Sequence, residues 1–196
     1  GDDYAVDNFL DVAPGEHREY SNIGAALAGH AVEHATGQSL DAYTREHFFG
    51  PLGMTRTRWF MADAPMDDHA RLYVSQDGMP LPIDPYGLVT WPDGGLRTSV
   101  DDLSKFFIAL LQGGESGGTR VLSRESVREM VRLQFTATRK PDNVDVAEKN
   151  SGLFWQTKFN TRFVGHGGGD PGLRTEMLAN PALDTGVILF TNTSGD

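Results

Sequence analysis

The sequence predicts an α+β fold in which a helical region is followed by an antiparallel sheet. The helix signals lie within about residues 1–133, whereas short β-prone runs separated by Asn, Asp, Pro and Gly fill about residues 151–196. Helices and strands are therefore grouped along the chain rather than alternating, which favours antiparallel pairing of the strands. We treat residues 1–196 as parts of one domain, since 196 residues with 39% hydrophobic content can build a core.

Capping residues predict where the helices begin and end. Ser21 or Asn22 can cap an alanine-rich helix, and Gly37 stands where a left-handed C-terminal residue is expected. Ser39 begins a second helix, and Ser99 forms a capping-box signature with the acidic residue three positions later. The predicted helices cover residues 20–37, 39–49, 99–112 and 123–133.

The predicted strands lie mainly at the end of the chain. In the otherwise irregular middle, a hairpin over residues 70–83 is expected to turn at Asp77 and Gly78. The polar stretch 139–149 is expected to be mobile, although it is too short for an interdomain linker. The predicted strands of the main sheet cover residues 152–159, 162–165, 173–179 and 186–191.

Composition excludes several classes of function. With 17 Lys and Arg against 27 Asp and Glu, the formal charge is -10, so no nucleic-acid partner is expected. The longest apolar run, residues 106–111, is far too short for a membrane span. Without cysteine there is no thiolate nucleophile, so covalent chemistry would have to use oxygen. Gly1 need not be the natural start, and the sequence therefore assigns no localisation.

A metal site is one alternative that the sequence leaves open. His30 and His34 flank Glu33 in a His-Ala-Val-Glu-His run, the inverted zinc-protease pattern, and one helical turn brings the two imidazoles together. A catalytic zinc needs a third protein ligand, and no acidic residue downstream is marked out for that role. We expect neither a metal nor another cofactor, and we retain a zinc hydrolase as the rival hypothesis.

Three glycine-rich motif matches fail their context tests. Ser116 fits Gly-x-Ser-x-Gly but follows a predicted helix instead of a strand, so a surface loop is expected there. The His-Gly-Gly-Gly run at 166–169 would have to precede such a serine to serve as its oxyanion loop. Gly167, Gly169 and Gly172 fit Gly-x-Gly-x-x-Gly but precede a predicted strand, whereas phosphate binding requires a helix N-terminus.

A fourth pattern pairs Tyr20 and Asn22 at the start of a helix with a histidine and glycines beside a strand. A tyrosine near a cation gives up its proton more readily, and an asparagine amide can hold a carbonyl and an ammonium group at once. Glycines after His166, among them Gly168, let an acyl group approach the strand edge, where the Gly169 N–H can act as an oxyanion donor.

Six stretches of the chain resemble the serine β-lactamase and penicillin-binding-protein superfamily, in its class C, D,D-peptidase and esterase branch. The resemblance implies that Tyr20 transfers a proton, Asn22 contacts substrate, His166 replaces the lysine of many relatives, and Gly169 donates to the oxyanion, with Gly168 beside it. It also implies that Glu33 and Gly37 are framework residues of the helix. The stretches follow the family order at residues 14–24, 35–40, 50–54, 94–106, 118–123 and 165–172.

The chain departs from this family at the nucleophile. The family's serine lies in Ser-x-x-Lys upstream of the tyrosine motif, and neither Ser-x-x-Lys nor Thr-x-x-Lys occurs among residues 1–196. The resemblance therefore implies a partial β-lactamase-like domain whose nucleophile lies outside this chain.

The expected activity is acyl-enzyme hydrolysis of esters, β-lactams or D-amino-acid peptides. The alternative is an inactive, truncated relative that keeps the cleft as a binding module. Because part of the sheet would lack its neighbours, we expect a companion N-terminal fragment or a homo-oligomer.

Overall fold

Four α-helices form the helical part of the computed structural model, which describes residues 10–195. Ser21, not Asn22, caps the first helix by accepting from the Gly24 N–H at 2.9 Å, and Gly37 ends it with φ +70°. The second helix continues into a π-helical turn, Arg45–Phe49. The helices are α1 (Asn22–Thr36), α2 (Leu40–Thr44), α3 (Val100–Leu111) and α4 (Arg124–Val131).

Nine strands form the sheets of the described part of the chain. Their bounds are β1 (Leu72–Gln76), β2 (Met79–Ile83), β3 (Glu115–Ser116), β4 (Thr119–Arg120), β5 (Gln156–Lys158), β6 (Phe163–Asp170), β7 (Leu173–Ala179), β8 (Gly186–Thr191) and β9 (Thr193–Ser194). The main sheet is antiparallel in the order β5-β6-β7-β8, and β3 pairs with β4. The third sheet has the order β2-β1-β9, in which β1 and β9 are parallel. The predicted α+β class, with helices before an antiparallel sheet, is confirmed.

The predicted hairpin over residues 70–83 is also confirmed. Leu72 pairs with Ile83 and Gln76 with Met79, so Asp77 and Gly78 form the two-residue turn. Both turn residues have positive φ, 51° and 74°, which is the backbone that matches the twist of the flanking strands.

Two predicted strands differ from the observed ones. The strand expected over 152–159 is reduced to β5, because Phe154 and Phe159 adopt positive φ values of 59° and 52° that interrupt extended backbone. The strand expected over 162–165 continues as β6 through the glycine run to Asp170, since β7 pairs with its whole length.

One expectation about a loop was wrong. Ser116 lies in β3, a two-residue strand of a tight hairpin after α3, and not in a loop. The mobility of the stretch 139–149 stays a prediction, and its Asn143 side-chain amide bonds both the N–H and the carbonyl of Arg18 at 2.9 Å. This contact fixes the stretch beside the residues that lead into α1.

The core lies between α3 and the main sheet. Phe107 and Leu110 of α3 pack with Trp155, Val164 and Ala179, all at most 7% exposed. The rings of Phe107 and Trp155 are stacked with centroids 6.5 Å apart. Burial of these side chains stabilises the sheet from one face and so fixes the position of β6, the strand that carries the glycine run.

A buried carboxylate joins α3 to the segment that follows α2. Asp102 is 2% exposed and accepts hydrogen bonds from the Arg56 N–H at 2.6 Å, Thr57 Oγ1 at 3.1 Å and Lys105 Nζ at 2.8 Å. Burial alone would raise the pKa of Asp102, but these hydrogen bonds hold it below its ordinary value. The carboxylate of Asp102 is therefore charged and hydrogen-bonded, and it links α3 to the segment that follows α2.

Candidate active site

Tyr20 and His166 lie side by side although they belong to separate elements. Tyr20 precedes the cap of α1, His166 lies in β6, and their ring centroids are 5.9 Å apart with an interplanar angle of 38°. The two aromatic groups singled out by the sequence, although distant along the chain, are thus neighbours in space.

The imidazole of His166 is oriented by two hydrogen bonds. The carbonyl of Gly167 can only accept, so the contact at 2.7 Å places the proton on Nδ1. Nε2 is then free to accept from the side-chain amide of Gln156 at 3.3 Å. Sequence reasoning missed Gln156, because only the register of β5 against β6 reveals that the two side chains meet.

One edge of β6 is open over the glycine run. Along this edge β5 pairs only with residues 163–165, whereas β7 pairs with the opposite edge as far as Asp170. The two-residue turn makes Asp170 and Leu173 a hydrogen-bonded pair, and the alternation of antiparallel pairs then directs the N–H groups of Gly167 and Gly169 away from β7. The Gly169 N–H therefore faces the open edge.

Five residues predicted from the sequence line one cleft of about 1060 Å³, namely Tyr20, Asn22, His166, Gly168 and Gly169. Tyr20 is 54% exposed. Among residues 10–195, neither its hydroxyl nor the side-chain amide of Asn22 has a hydrogen-bond partner. Both groups can therefore serve a substrate or another polypeptide segment. The smaller cavity of about 370 Å³ beside His69 and Pro85 contains none of the five.

His30 and His34 lie elsewhere, on the exposed surface of α1. His30 Nδ1 is 3.6 Å from one carboxylate oxygen of Glu33, and the other oxygen accepts from the Leu40 N–H at 2.9 Å. Glu33 therefore joins α1 to α2. Within the described part of the chain, no group of three His, Cys, Asp or Glu side chains is placed to hold a metal ion. Over the same residues, no helix has the length and apolar character needed to cross a bilayer.

Comparison with known proteins places this geometry in a family. The family model described as Beta-lactamase matches residues 3–196. The solved octameric penicillin-binding protein homologue from Pyrococcus abyssi superposes with a TM-score of 0.77 at 26% identity, over 95% of this chain and 41% of that one. The chain belongs to the β-lactamase family, and its fold is that of the serine β-lactamase and penicillin-binding-protein superfamily.

Two curated relatives extend the comparison. Protein flp from Staphylococcus aureus (strain MW2) is 24% identical over 187 residues, which are 93% of this chain and 35% of that protein. Unguisins hydrolase ungD' from Aspergillus campestris is 26% identical over 189 residues, or 90% of this chain and 33% of that protein. The chain thus spans about a third of the length of these relatives.

Proposed function

We propose that this chain forms part of a serine hydrolase that works through an acyl-enzyme, with the nucleophilic serine on a segment outside residues 1–196. The observation that carries the proposal is the shared cleft in which Tyr20 and His166 lie 5.9 Å apart beside the open edge of β6. A phenol, an imidazole and a strand edge with outward N–H groups are the elements that acyl transfer requires around a serine.

Each residue has a distinct role in this proposal. Tyr20, together with a lysine from outside the chain, moves the proton of the serine, while Asn22 and His166 orient the acyl donor. The Gly169 N–H and the N–H of the serine itself stabilise the tetrahedral oxyanion. Loss of one such donor typically costs about 10²–10³-fold in kcat, and general acid–base groups contribute about 10²–10⁴-fold.

The cleft leaves room for a nucleophile from another segment. Its volume of about 1060 Å³ lies at the upper end of the range of about 300–1,000 Å³ that is usual for small-molecule sites. Its walls are partly apolar, with Leu96, Leu103, Leu173 and Phe190 among the lining residues. Such a cleft has room for an acyl donor and for a polypeptide segment that packs against those side chains.

The proposed substrates are esters, β-lactams or D-amino-acid peptides. The relatives support hydrolysis of acyl compounds in general, since one is named a hydrolase of unguisins and another a penicillin-binding protein homologue. The geometry of the cleft favours none of the three substrate classes over the others.

Covalent labelling of the intact protein tests the proposal. A fluorophosphonate probe or a fluorescent penicillin should label the native protein, but not a heat-denatured control, and peptide mapping should place the adduct on a serine outside residues 1–196. An adduct on a residue within this chain would contradict the proposal. A native protein that resists both probes would support the binding-module alternative instead.

We also propose that another polypeptide covers part of this chain. The exposed apolar side chains Ile23 and Leu27 on α1 (65% and 64% exposed) and Val187 and Leu189 on β8 (53% and 57%) support this idea. β8 is also the last strand of the main sheet, so its outer edge has no partner among residues 10–195. A companion N-terminal fragment or a second copy of the chain would cover such a surface.

A further inference from the structure

The turn between β6 and β7 is packed closely against the β2-β1-β9 sheet. Gly172 adopts φ +82°, and a Cβ placed there would come within 2.7 Å of Leu72 Cβ and 3.0 Å of Ile83 Cδ1. Its N–H donates to Ser194 Oγ at 2.8 Å. Side chains from β1, β2 and β9 therefore contact the residue that follows Pro171 in the turn.

A side chain from a fourth segment binds the other residue of the turn. Tyr86, in the stretch between β2 and α3, donates its hydroxyl hydrogen to the Pro171 carbonyl at 2.8 Å. Burial, together with the nearby Asp170 carboxylate, raises the pKa of Tyr86, so the phenol stays protonated and keeps donating at neutral pH. Pro171 itself lacks an N–H, and its carbonyl is thus the polar group through which a neighbour can hold it.

Tyr86 is held in turn from the direction of α3. The guanidinium of Arg97 donates to the Tyr86 carbonyl, and the backbone of Arg97 exchanges two hydrogen bonds of 2.8 Å with Arg58. Arg97 lies two residues before Ser99, the cap of α3. A continuous set of contacts therefore runs from the start of α3 through Tyr86 to the β6–β7 turn.

We infer that Tyr86 is a positioning residue for the reaction, because its hydroxyl holds the turn that aims the Gly169 N–H into the cleft. Gly169 is only two residues before Pro171, and its outward N–H belongs to the part of β6 that β5 does not support. On that stretch the hairpin depends on β7 and on the contacts at its turn. The inference rests on the proposed function, since it assigns the oxyanion donor to Gly169.

Kinetics of Tyr86→Phe in the intact protein test this role. The substitution keeps the ring and removes only the hydroxyl, and we expect kcat per titrated active site to fall about tenfold, a fraction of the cost of losing an oxyanion donor. KM should change less than about twofold, because the groups that bind the ground state stay in place. Titration of active sites with the fluorophosphonate removes any loss of folded protein from the comparison.

Tyr43→Phe is the matched control, since it makes the same chemical change on α2, where the Tyr43 ring contacts His47 with centroids 4.4 Å apart and an interplanar angle of 50°. It should leave both constants unchanged. A kcat per active site in Tyr86→Phe equal to that of wild type, or a rise in KM that accounts for the whole effect, would overturn the inference.

Hydrogen–deuterium exchange provides a readout that needs no catalysis. In Tyr86→Phe, amides of residues 166–173 should exchange roughly fivefold faster than in wild type or Tyr43→Phe, as expected for loss of one hydrogen bond. If the intact wild-type protein shows no acyl transfer, the proposed function fails. Unchanged exchange in Tyr86→Phe would reject the positioning role whether or not the protein is an enzyme.

Discussion

His166 shows how backbone geometry decides the chemical character of one side chain. Nδ1 donates to the Gly167 carbonyl and Nε2 accepts from Gln156, so neighbouring groups fix the hydrogen-bonding role of each ring nitrogen. We therefore expect Gln156 and the Gly167 carbonyl to keep the ring of His166 in place beside Tyr20.

Asp102 gives a prediction about stability at the scale of a single residue. Its buried carboxylate is matched by hydrogen bonds from three groups, so Asp102→Asn should lower the free energy of unfolding by about 2–3 kcal/mol at pH 7. Asp101→Asn is the control, since Asp101 is 85% exposed and contacts the same Lys105 at 3.6 Å. It should cost less than about 0.5 kcal/mol. Urea unfolding measures both.

The lowered pKa of Asp102 also predicts how the difference varies with pH. A carboxyl whose native pKa lies below its unfolded value stabilises the fold above about pH 4 and loses that contribution as the pH falls through the native value. The difference in the free energy of unfolding between wild type and Asp102→Asn should therefore narrow as the pH falls from 5 to 2. A gap that stays constant over this range would rule out the electrostatic account.

At the scale of elements, features that depend on neighbouring residues could be predicted from the sequence, whereas features that depend on tertiary contacts could not. The caps at Ser21, Gly37 and Ser39 depend on their immediate neighbours, and the hairpin turn at Asp77 and Gly78 does likewise. The extent of β6 depends instead on pairing with β7, which overcomes the low strand propensity of glycine.

The same limit applies to the candidate site. The motifs pointed to Tyr20 and His166 because their spacing to neighbouring residues is recognisable. Gln156 and Tyr86 carry no such local signal, since their contacts to His166 and Pro171 arise only when separate elements pack together. The resemblance to the family predicted which residues line the cleft. The residues that orient those lining residues could be recognised only from the structure.

Glycines of β6 provide a test at the scale of this element. A Cβ at Gly165 would overlap the backbone carbonyl of Met177 on β7, so Gly165→Ala should lower the free energy of unfolding by about 3 kcal/mol. At Gly167 the atoms nearest to a Cβ belong to the end of the Glu176 side chain, which can rotate away, and Gly167→Ala should cost less than about 1 kcal/mol. Chemical denaturation measures the free energy of unfolding of both variants. Equal losses of stability would show that the close approach of Met177 to Gly165 does not determine the cost of the substitution.

At the scale of the whole molecule, the apolar surface predicts association of the isolated chain. Exposed Val187 and Leu189 alternate on β8, whose outer edge pairs with no strand of the described residues 10–195, an arrangement that favours association. Light scattering after size-exclusion chromatography should give a mass above the 21.4 kDa of one chain, rising with concentration. A stable monomer at all concentrations would contradict the expectation.

Substitutions can locate the associating surface. Val187→Lys combined with Leu189→Lys places charge on the edge strand and should weaken association at least about tenfold. Val89→Lys is the control, because Val89 is 99% exposed and apolar but lies in a turn outside the strands of the main sheet. If the control weakens association as much as the double substitution, β8 is not the surface involved.

The central claim is that Tyr20 and His166 act on one acyl transfer across a shared cleft. The most direct measurement is a double-mutant cycle on the acylation rate of the intact protein, with Tyr20→Phe, His166→Asn and the combined variant. Each single change should slow acylation, by about 10²–10⁴-fold for Tyr20→Phe. The combined loss should be at least about tenfold smaller than the product of the single losses, because the groups serve one transition state. Losses that simply multiply, or wild-type rates in either single variant, would contradict the account.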